Sequence, residues 1–167
     1  MMTAVGEWYG RRMANRAFSL ENDSTRAELS GLLSGLDAAS LNRRIGSTWT
    51  IGTSLCHLAF WDQRALFQLK HWQKTGTEET ARLDSQSIDS INQALNMIAL
   101  EVPGEAAIAL ALESAAAVDA FVAGIDAELE ERIRAAGFER YLRRSLHRRD
   151  HLQRIRAALD AEAPMSQ

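Results

Sequence analysis

The longest helical pattern in the chain constrains its fold most. From Ile51 to about Gln73, apolar residues recur so that, at about 100° per residue, they fall on one narrow arc. Thr50, just before this segment, is a residue type that commonly caps the start of a helix. The apolar residues on the arc are Ile51, Leu55, Leu58, Ala65, Leu69 and Trp72. The pattern predicts a long amphipathic helix that begins at Ile51.

Three further segments also carry helical patterns, and no segment shows the alternation of a strand. Proline occurs only at Pro103 and Pro164, and alanine, leucine, glutamate and arginine favour helix. The chain of 167 residues fits one domain. We predict an all-α protein, a four-helix bundle with one short extra helical segment. The other predicted helices are residues 22–36, 105–122 and 138–159. The short extra segment is residues 88–100, and residues 126–134 are expected to add a short turn of helix.

The ends of the bundle are predicted from local signals. Thr25 and Glu28 form a capping-box pattern, which places the start of the first helix near Asn22, although Ser19 or Asp23 could cap a longer version. Residues 1–16 have no clean period and are expected to form a loosely attached arm or a short helix. Residues 160–167 are expected to fray.

Composition argues against several classes of protein. With 19 Lys+Arg against 22 Asp+Glu, the net charge is −3, which gives no reason to expect nucleic-acid binding. We see no signal peptide and no run that approaches the roughly 20 apolar residues of a membrane span, so we expect a cytoplasmic protein. Cys56 is the only cysteine, which excludes an intrachain disulfide, and its apolar surroundings favour an inert buried residue.

Three histidines are the candidate metal ligands. His147 and His151 are four residues apart on one helix, so their Cβ atoms lie about 5–6 Å apart on one face. His57 lies on the shoulder of the apolar arc of its own helix, in a position that corresponds to that of the other two. Three imidazoles with open positions suit Zn²⁺, Ni²⁺ or Fe²⁺. Because His-x-x-x-His is short and common, two surface histidines on an arginine-rich helix are the alternative.

Asp62 and Arg148 stand out because each falls inside the apolar arc of its helix. An unpaired charge there would cost several kcal/mol. A buried ion pair between the two side chains would remove this cost and set the register of their helices. In the alternative interpretation, Asp62 orients His57 or a metal-bound water.

Motifs of several other enzyme classes are missing from the sequence. It has no glycine-rich phosphate loop, no Gly-x-Ser-x-Gly and no paired carboxylates at helical spacing. Hydrolase triads, nucleotide binding and di-iron chemistry therefore have no support. The aromatic residues Trp49, Phe60, Trp61 and Trp72 are interpreted as core or as the wall of a cleft.

Two segments resemble one family. Residues 49–62 (WTIGTSLCHLAFWD) are similar to the start of the second helix in the DinB/YfiT-like superfamily, and residues 145–152 (SLHRRDHL) are similar to its closing His-x-x-x-His-Leu helix. The family includes the metal-binding N-terminal domain of mycothiol-dependent maleylpyruvate isomerase. The resemblance covers about residues 18–159. It implies a four-helix bundle with a divalent metal bound by His57, His147 and His151.

The resemblance also implies a range of activities. Family members include transferases and isomerases that use a low-molecular-weight thiol, and also hydrolases; many form homodimers. We therefore expect a metal-dependent thiol S-transferase or hydrolase that acts on a small electrophilic substrate. In this hypothesis Asp62 and Arg148 are candidate catalytic residues, and Arg149 is a candidate for binding an anionic cofactor. The alternatives are a non-catalytic bundle that binds a small molecule, with a vestigial metal site, and a dimerisation module.

Overall fold

The chain is an all-α protein in the computed structural model, which describes residues 4–76 and 82–161, with side chains from residue 17 onwards. Helix α3 packs along α5, and α1 contacts both α5 and α7, so these four long helices form the predicted bundle. Helix α4 packs on the outside of α3. The helices are α1 (Ala4–Leu33), α2 (Ala38–Leu41), α3 (Ile51–Thr75), α4 (Ser85–Ala99), α5 (Gly104–Ala123), α6 (Ala127–Ala135) and α7 (Ser145–Asp160).

A small hairpin that the sequence did not predict precedes α3. Strands β1 (Arg44–Ile45) and β2 (Trp49–Thr50) pair antiparallel, and Gly46 turns the chain with a φ of 66°. Thr50 is the predicted N-cap of α3, since its hydroxyl accepts a hydrogen bond from the Thr53 N–H at 3.1 Å. The hairpin thereby brings Trp49 beside the first turns of α3.

Helix α1 begins earlier than predicted. Its backbone is helical from Ala4, so Thr25 lies inside the helix, and its hydroxyl donates to the backbone carbonyls of Glu21 and Asn22 rather than capping an end. The predicted start near Asn22 was therefore wrong, because a Thr-x-x-Glu pattern also occurs within helices. The backbone of residues 4–16 forms the first part of α1, and how tightly this segment is attached stays a prediction because its side chains lie outside the described part. Residues 1–3 and 162–167 are not described, so the frayed tail also stays a prediction.

The last helix begins later than predicted. A 3₁₀ turn, Glu139–Tyr141, is separated from α7 by residues 142–144. The buried Asn22 side chain satisfies the backbone at this break: its Nδ2 donates to the Leu142 carbonyl at 2.9 Å, and its Oδ1 accepts from the Ser145 N–H at 2.8 Å. A side chain from another helix thus takes the place of the helical hydrogen bonds that a continuous helix would need.

Helix α5 is long and apolar enough, by length and composition alone, to cross a membrane, although no such run was predicted. The core helix of a globular bundle passes the same test. Its buried residues recur at helical spacing and include the polar Ser114 and Asp119, both of which make contacts inside the bundle. Helix α5 is thus a bundle helix with one face against α1 and α3.

A polar layer divides the core into two apolar clusters. One cluster surrounds Trp72 and Phe138, and the other surrounds Leu55 and Leu152. Between them, all four bundle helices contribute buried polar side chains, each at most 4% exposed. These are Asn22 and Thr25 from α1, Asp62 from α3, Ser114 and Asp119 from α5, and Ser145 and Arg148 from α7.

Candidate metal centre

The structure brings the three predicted histidines together. His57 comes from the second turn of α3, and His147 and His151 come from the first two turns of α7. One ring nitrogen from each lies within 4.8 Å of the others, and the Nε2 atoms of His57 and His147 are 3.1 Å apart. Two nitrogens bound to one zinc ion at about 2.0–2.1 Å lie about 3–3.5 Å apart in a tetrahedral site. His57 and His147 therefore have the spacing of two ligands of one ion, and His151 lies close enough to be the third.

All three imidazoles are held in the neutral form. Burial lowers the pKa of His57 to about 3 and that of His151 to about 4, and nearby positive charge adds to both effects. Burial, followed by the charge of Arg144, holds the pKa of His147 well below its usual range. A histidine ligates a metal through the lone pair of the neutral ring, so burial prepares all three for binding at neutral pH.

The hydrogen bonds assign a proton to two of the three rings. Arg144 can only donate, and its Nη2 lies 3.2 Å from His147 Nδ1, so His147 carries its proton on Nε2 and donates it to His57 Nε2. The proton of His57 is then on Nδ1, which is buried and has no hydrogen-bond partner among the described residues. Ser54 Oγ lies 2.8 Å from His151 Nδ1.

This arrangement fits a metal at two of the histidines and requires a change at the third. His57 presents the lone pair of its Nε2 to a metal. His151 likewise presents the lone pair of its Nε2 when its Nδ1 donates to Ser54. His147 would have to move its proton from Nε2 to Nδ1, where it would face the donor Arg144. A metal bound through His147 Nε2 is therefore incompatible with the present Arg144–His147 contact.

The predicted ion pair between Asp62 and Arg148 is confirmed. Arg148 Nη2 donates to Asp62 Oδ2 at 2.9 Å, and the side chains are 0% and 1% exposed. Arg148 also donates twice to Asp119 of α5, at 2.8 and 2.9 Å. Asp62 Oδ1 accepts from Arg144 Nε at 2.8 Å, so Asp62 reaches His147 only through Arg144.

Neither Asp62 nor Arg148 lines the cleft. Asp62 contacts Arg144, which faces His147, and Arg148 pairs with Asp62, so both residues reach the histidines only through other side chains. The expectation that they act directly in catalysis stays a prediction. Arg149, the candidate cofactor ligand, is exposed, does not line the cleft and lies 4.0 Å from Glu21. The structure therefore does not bring Arg149 to the histidines.

The histidines open into a cleft of about 760 Å³. Trp49 and Trp61 form part of its wall, and the Trp49 ring packs perpendicular to the His57 ring at a centroid distance of 5.2 Å. Trp61 Nε1 donates to Asn92 of α4 at 3.0 Å, which ties α4 to the rim. Two of the predicted aromatic residues are thus cleft wall, whereas Trp72 is fully buried in the core.

Three supporting residues were not predicted. Ser54 and Arg144 each precede a site histidine by three residues, a spacing that places them on the same helical face and could have indicated them. Asp119 is a charge in the alanine-rich helix, where apolar residues on most positions blur the arc that made Asp62 conspicuous. Cys56, as expected, is buried, and burial raises the pKa of its thiol.

Comparison with known proteins places the chain in a family. The model of the DinB superfamily matches residues 21–161, which is well over half of the chain and includes all three histidines. No curated protein and no solved structure matches the chain.

Proposed function

The chain belongs to the DinB superfamily, and on that premise we propose that it is a divalent-metal-dependent enzyme acting on a small electrophilic substrate. The nucleophile would be a low-molecular-weight thiol, in an S-transferase, or water, in a hydrolase. The observation that carries the proposal is the meeting of three neutral histidines at the floor of a cleft of about 760 Å³.

The chain's own residues have defined tasks in this proposal. His57, His147 and His151 would hold the ion, which when bound supplies the Lewis acidity that lowers the pKa of a thiol or water. Trp49 and Trp61, which line the cleft, would shield one side of the centre from water. Ser54 orients His151 through its Nδ1.

Metal analysis of protein purified without a nickel column tests the proposal. We expect about one ion per chain in the wild type and loss of that ion in His147→Ala. His71→Ala is the matched control, since His71 lies exposed on the same helix as His57 and outside the histidine cluster. A content of less than a few tenths of an ion per chain, unchanged by His147→Ala, would refute the metal centre.

Activity is measured separately on the metal-loaded protein. A chromogenic aryl halide with a small thiol reports S-transfer, and a chromogenic ester without thiol reports hydrolysis. We expect turnover in one assay that is lost in His147→Ala and retained in His71→Ala. Equal rates in the wild type and His147→Ala would contradict catalysis at this centre.

One observation favours a second candidate, a non-catalytic bundle that binds a small molecule and retains a vestigial metal site. Metal-ligating histidines almost always donate their other N–H to an acceptor, and loss of such a partner typically weakens metal affinity about 10–100-fold. Here His57 Nδ1 has no partner among the described residues, and His147 Nδ1 faces a donor. This candidate predicts ligand binding in the cleft without turnover in either assay.

Location and assembly belong to the same proposal. We expect a cytoplasmic homodimer whose only ligands are small molecules and not nucleic acid or membranes. Exposed apolar residues on α3 and α4 are consistent with an interface that involves these two helices. They include Phe67 on α3 and both Met97 and Ile98 on α4. Sedimentation equilibrium tests the assembly, and a monomer at all concentrations would contradict it.

A further inference from the structure

Positive charge dominates the cleft beside the three histidines. Five arginines and one acidic residue lie along its lining: Arg64, Arg140, Arg143, Arg144, Arg154 and Asp150. Three of these arginines form ion pairs. The pairs are Arg143 with Glu21 at 2.9 Å, Arg144 with Asp62 at 2.8 Å and Arg154 with Asp150 at 3.0 Å.

Arg64 and Arg140 have no carboxylate partner in the part of the chain that the structure describes. Both guanidinium groups lie near the ring of Tyr141, with Cζ-to-centroid distances of 6.0 and 5.6 Å. Arg64 Nη1 also donates to the Tyr141 hydroxyl at 2.7 Å, and Arg64 lies 5.4 Å from the Trp61 ring centroid. Both positive charges are therefore held by contacts with the same aromatic ring.

The donors that remain on these side chains suit a carboxylate. Among the described residues only Tyr141 accepts from Arg64, through Nη1. Nε and Nη2 then remain as a fork, the arrangement that binds a planar carboxylate with two hydrogen bonds. Arg140 is exposed at the rim and adds a second positive charge beside the same ring. The apolar side chains of Ile88 and Leu146 also line the cleft and suit a short carbon chain.

We propose that Arg64 and Arg140 form a subsite for the carboxylate of a small organic acid, whose other end extends toward the three histidines. The substrate class is therefore an organic acid with its reactive carbon a few bonds from a carboxylate. This assignment rests on the proposed function only for the reaction at the histidines. Recognition of the carboxylate by the two arginines does not require the metal.

Calorimetric titration of the metal-free full-length protein with succinate tests the subsite, in a buffer without phosphate or other carboxylates. Succinamide, of the same length but uncharged, is the ligand control. We expect succinate to bind and succinamide not to bind, and we expect Arg64→Gln and Arg140→Gln each to raise the Kd for succinate about 10-fold or more. Higher salt should weaken the binding.

Arg82→Gln is the matched protein control. Arg82 stacks on an aromatic ring, Phe138, at 5.0 Å and lies outside the cleft. The Arg82→Gln variant should leave the Kd for succinate unchanged. Equal Kd values in the wild type and Arg140→Gln, or equal binding of succinamide, would overturn the subsite. Arg140 decides the test if Arg64→Gln misfolds, because the exposed Arg140 side chain donates no hydrogen bond within the described residues.

Metal content measured on the same preparations, before the metal is removed for the titration, separates the two proposals. Binding of metal without binding of succinate would refute the carboxylate subsite and leave the proposed metal centre supported. Binding of succinate through the two arginines without any bound metal would support the subsite and refute the proposed metal-dependent enzyme.

Discussion

Replacing Arg148 with methionine tests how much the polar layer contributes to stability. The Arg148 guanidinium is fully buried and donates to two carboxylates, Asp62 of α3 and Asp119 of α5. It also donates to the backbone carbonyls of Asn22 and Ala115, at 3.3 and 3.4 Å. The methionine side chain fills much of the same volume, so the change removes the charge and its hydrogen bonds more than the packing.

The expected loss of stability in Arg148→Met follows from leaving two carboxylates buried without this partner. Removing one member of a buried ion pair costs about 3–5 kcal/mol. Arg148 serves two carboxylates, but Asp62 keeps Arg144 and Asp119 keeps Arg26 at 3.1 Å, so we expect a loss within that range rather than twice it. For a domain of this size, about 1 kcal/mol corresponds to about 2–4 °C in Tm. The Tm should therefore fall by roughly 10 °C.

Urea unfolding of the metal-free protein, followed by circular dichroism, measures the loss. Arg156→Met is the control on the same helix, because its pair with Glu28 is solvent-exposed and such pairs contribute about 0–1 kcal/mol. The double variant Arg148→Met/Asp119→Asn should recover part of the loss, since one fewer buried carboxylate is left without Arg148. If Arg148→Met lowered the free energy of unfolding no more than Arg156→Met, the contribution of the buried ion pairs to stability would be refuted.

Two further predictions concern the metal-free protein. Its free energy of unfolding should fall as the pH falls from about 6.5 toward 4, because burial holds the pKa of His57 and His151 at about 3 and 4, so the unfolded chain takes up protons first. In denaturation measured across this range, His57→Gln should flatten the fall, and an unchanged slope would contradict it. Asn22→Ala should destabilise the protein by about 1–3 kcal/mol, because it leaves the Ser145 N–H and the Leu142 carbonyl buried without their partner. Urea unfolding checks this, and a loss below about 0.5 kcal/mol would contradict the role of Asn22.

Periodicity along single helices predicted much of the fold and the histidine cluster. The apolar arc of α3 is buried as expected, and His57, His147 and His151 could be selected because each lies on the shoulder of an apolar arc. The ion pair of Asp62 with Arg148 was predictable for a related reason. A charge inside an apolar arc has to find an opposite charge or remain costly.

Contacts between helices were not predictable in the same way. Nothing in the sequence next to Ser145 indicates that Asn22, 123 residues earlier, satisfies its N–H, so the last helix was predicted to continue through the break. The two-residue strands of the hairpin are too short to show alternation. Such features depend on which helices become neighbours, and the spacing within one helix does not contain that information.

The polar layer links the stability of the bundle to the geometry of the histidine centre. Arg144 donates to Asp62, which is held by Arg148, and it also faces His147 Nδ1. A shift of Asp62 would therefore move the group that sets the proton position on His147. Because metal binding through His147 Nε2 requires that contact to break, the buried charges govern how readily His147 can become a ligand. The network consequently supports the bundle and opposes metal binding at one of its three histidines.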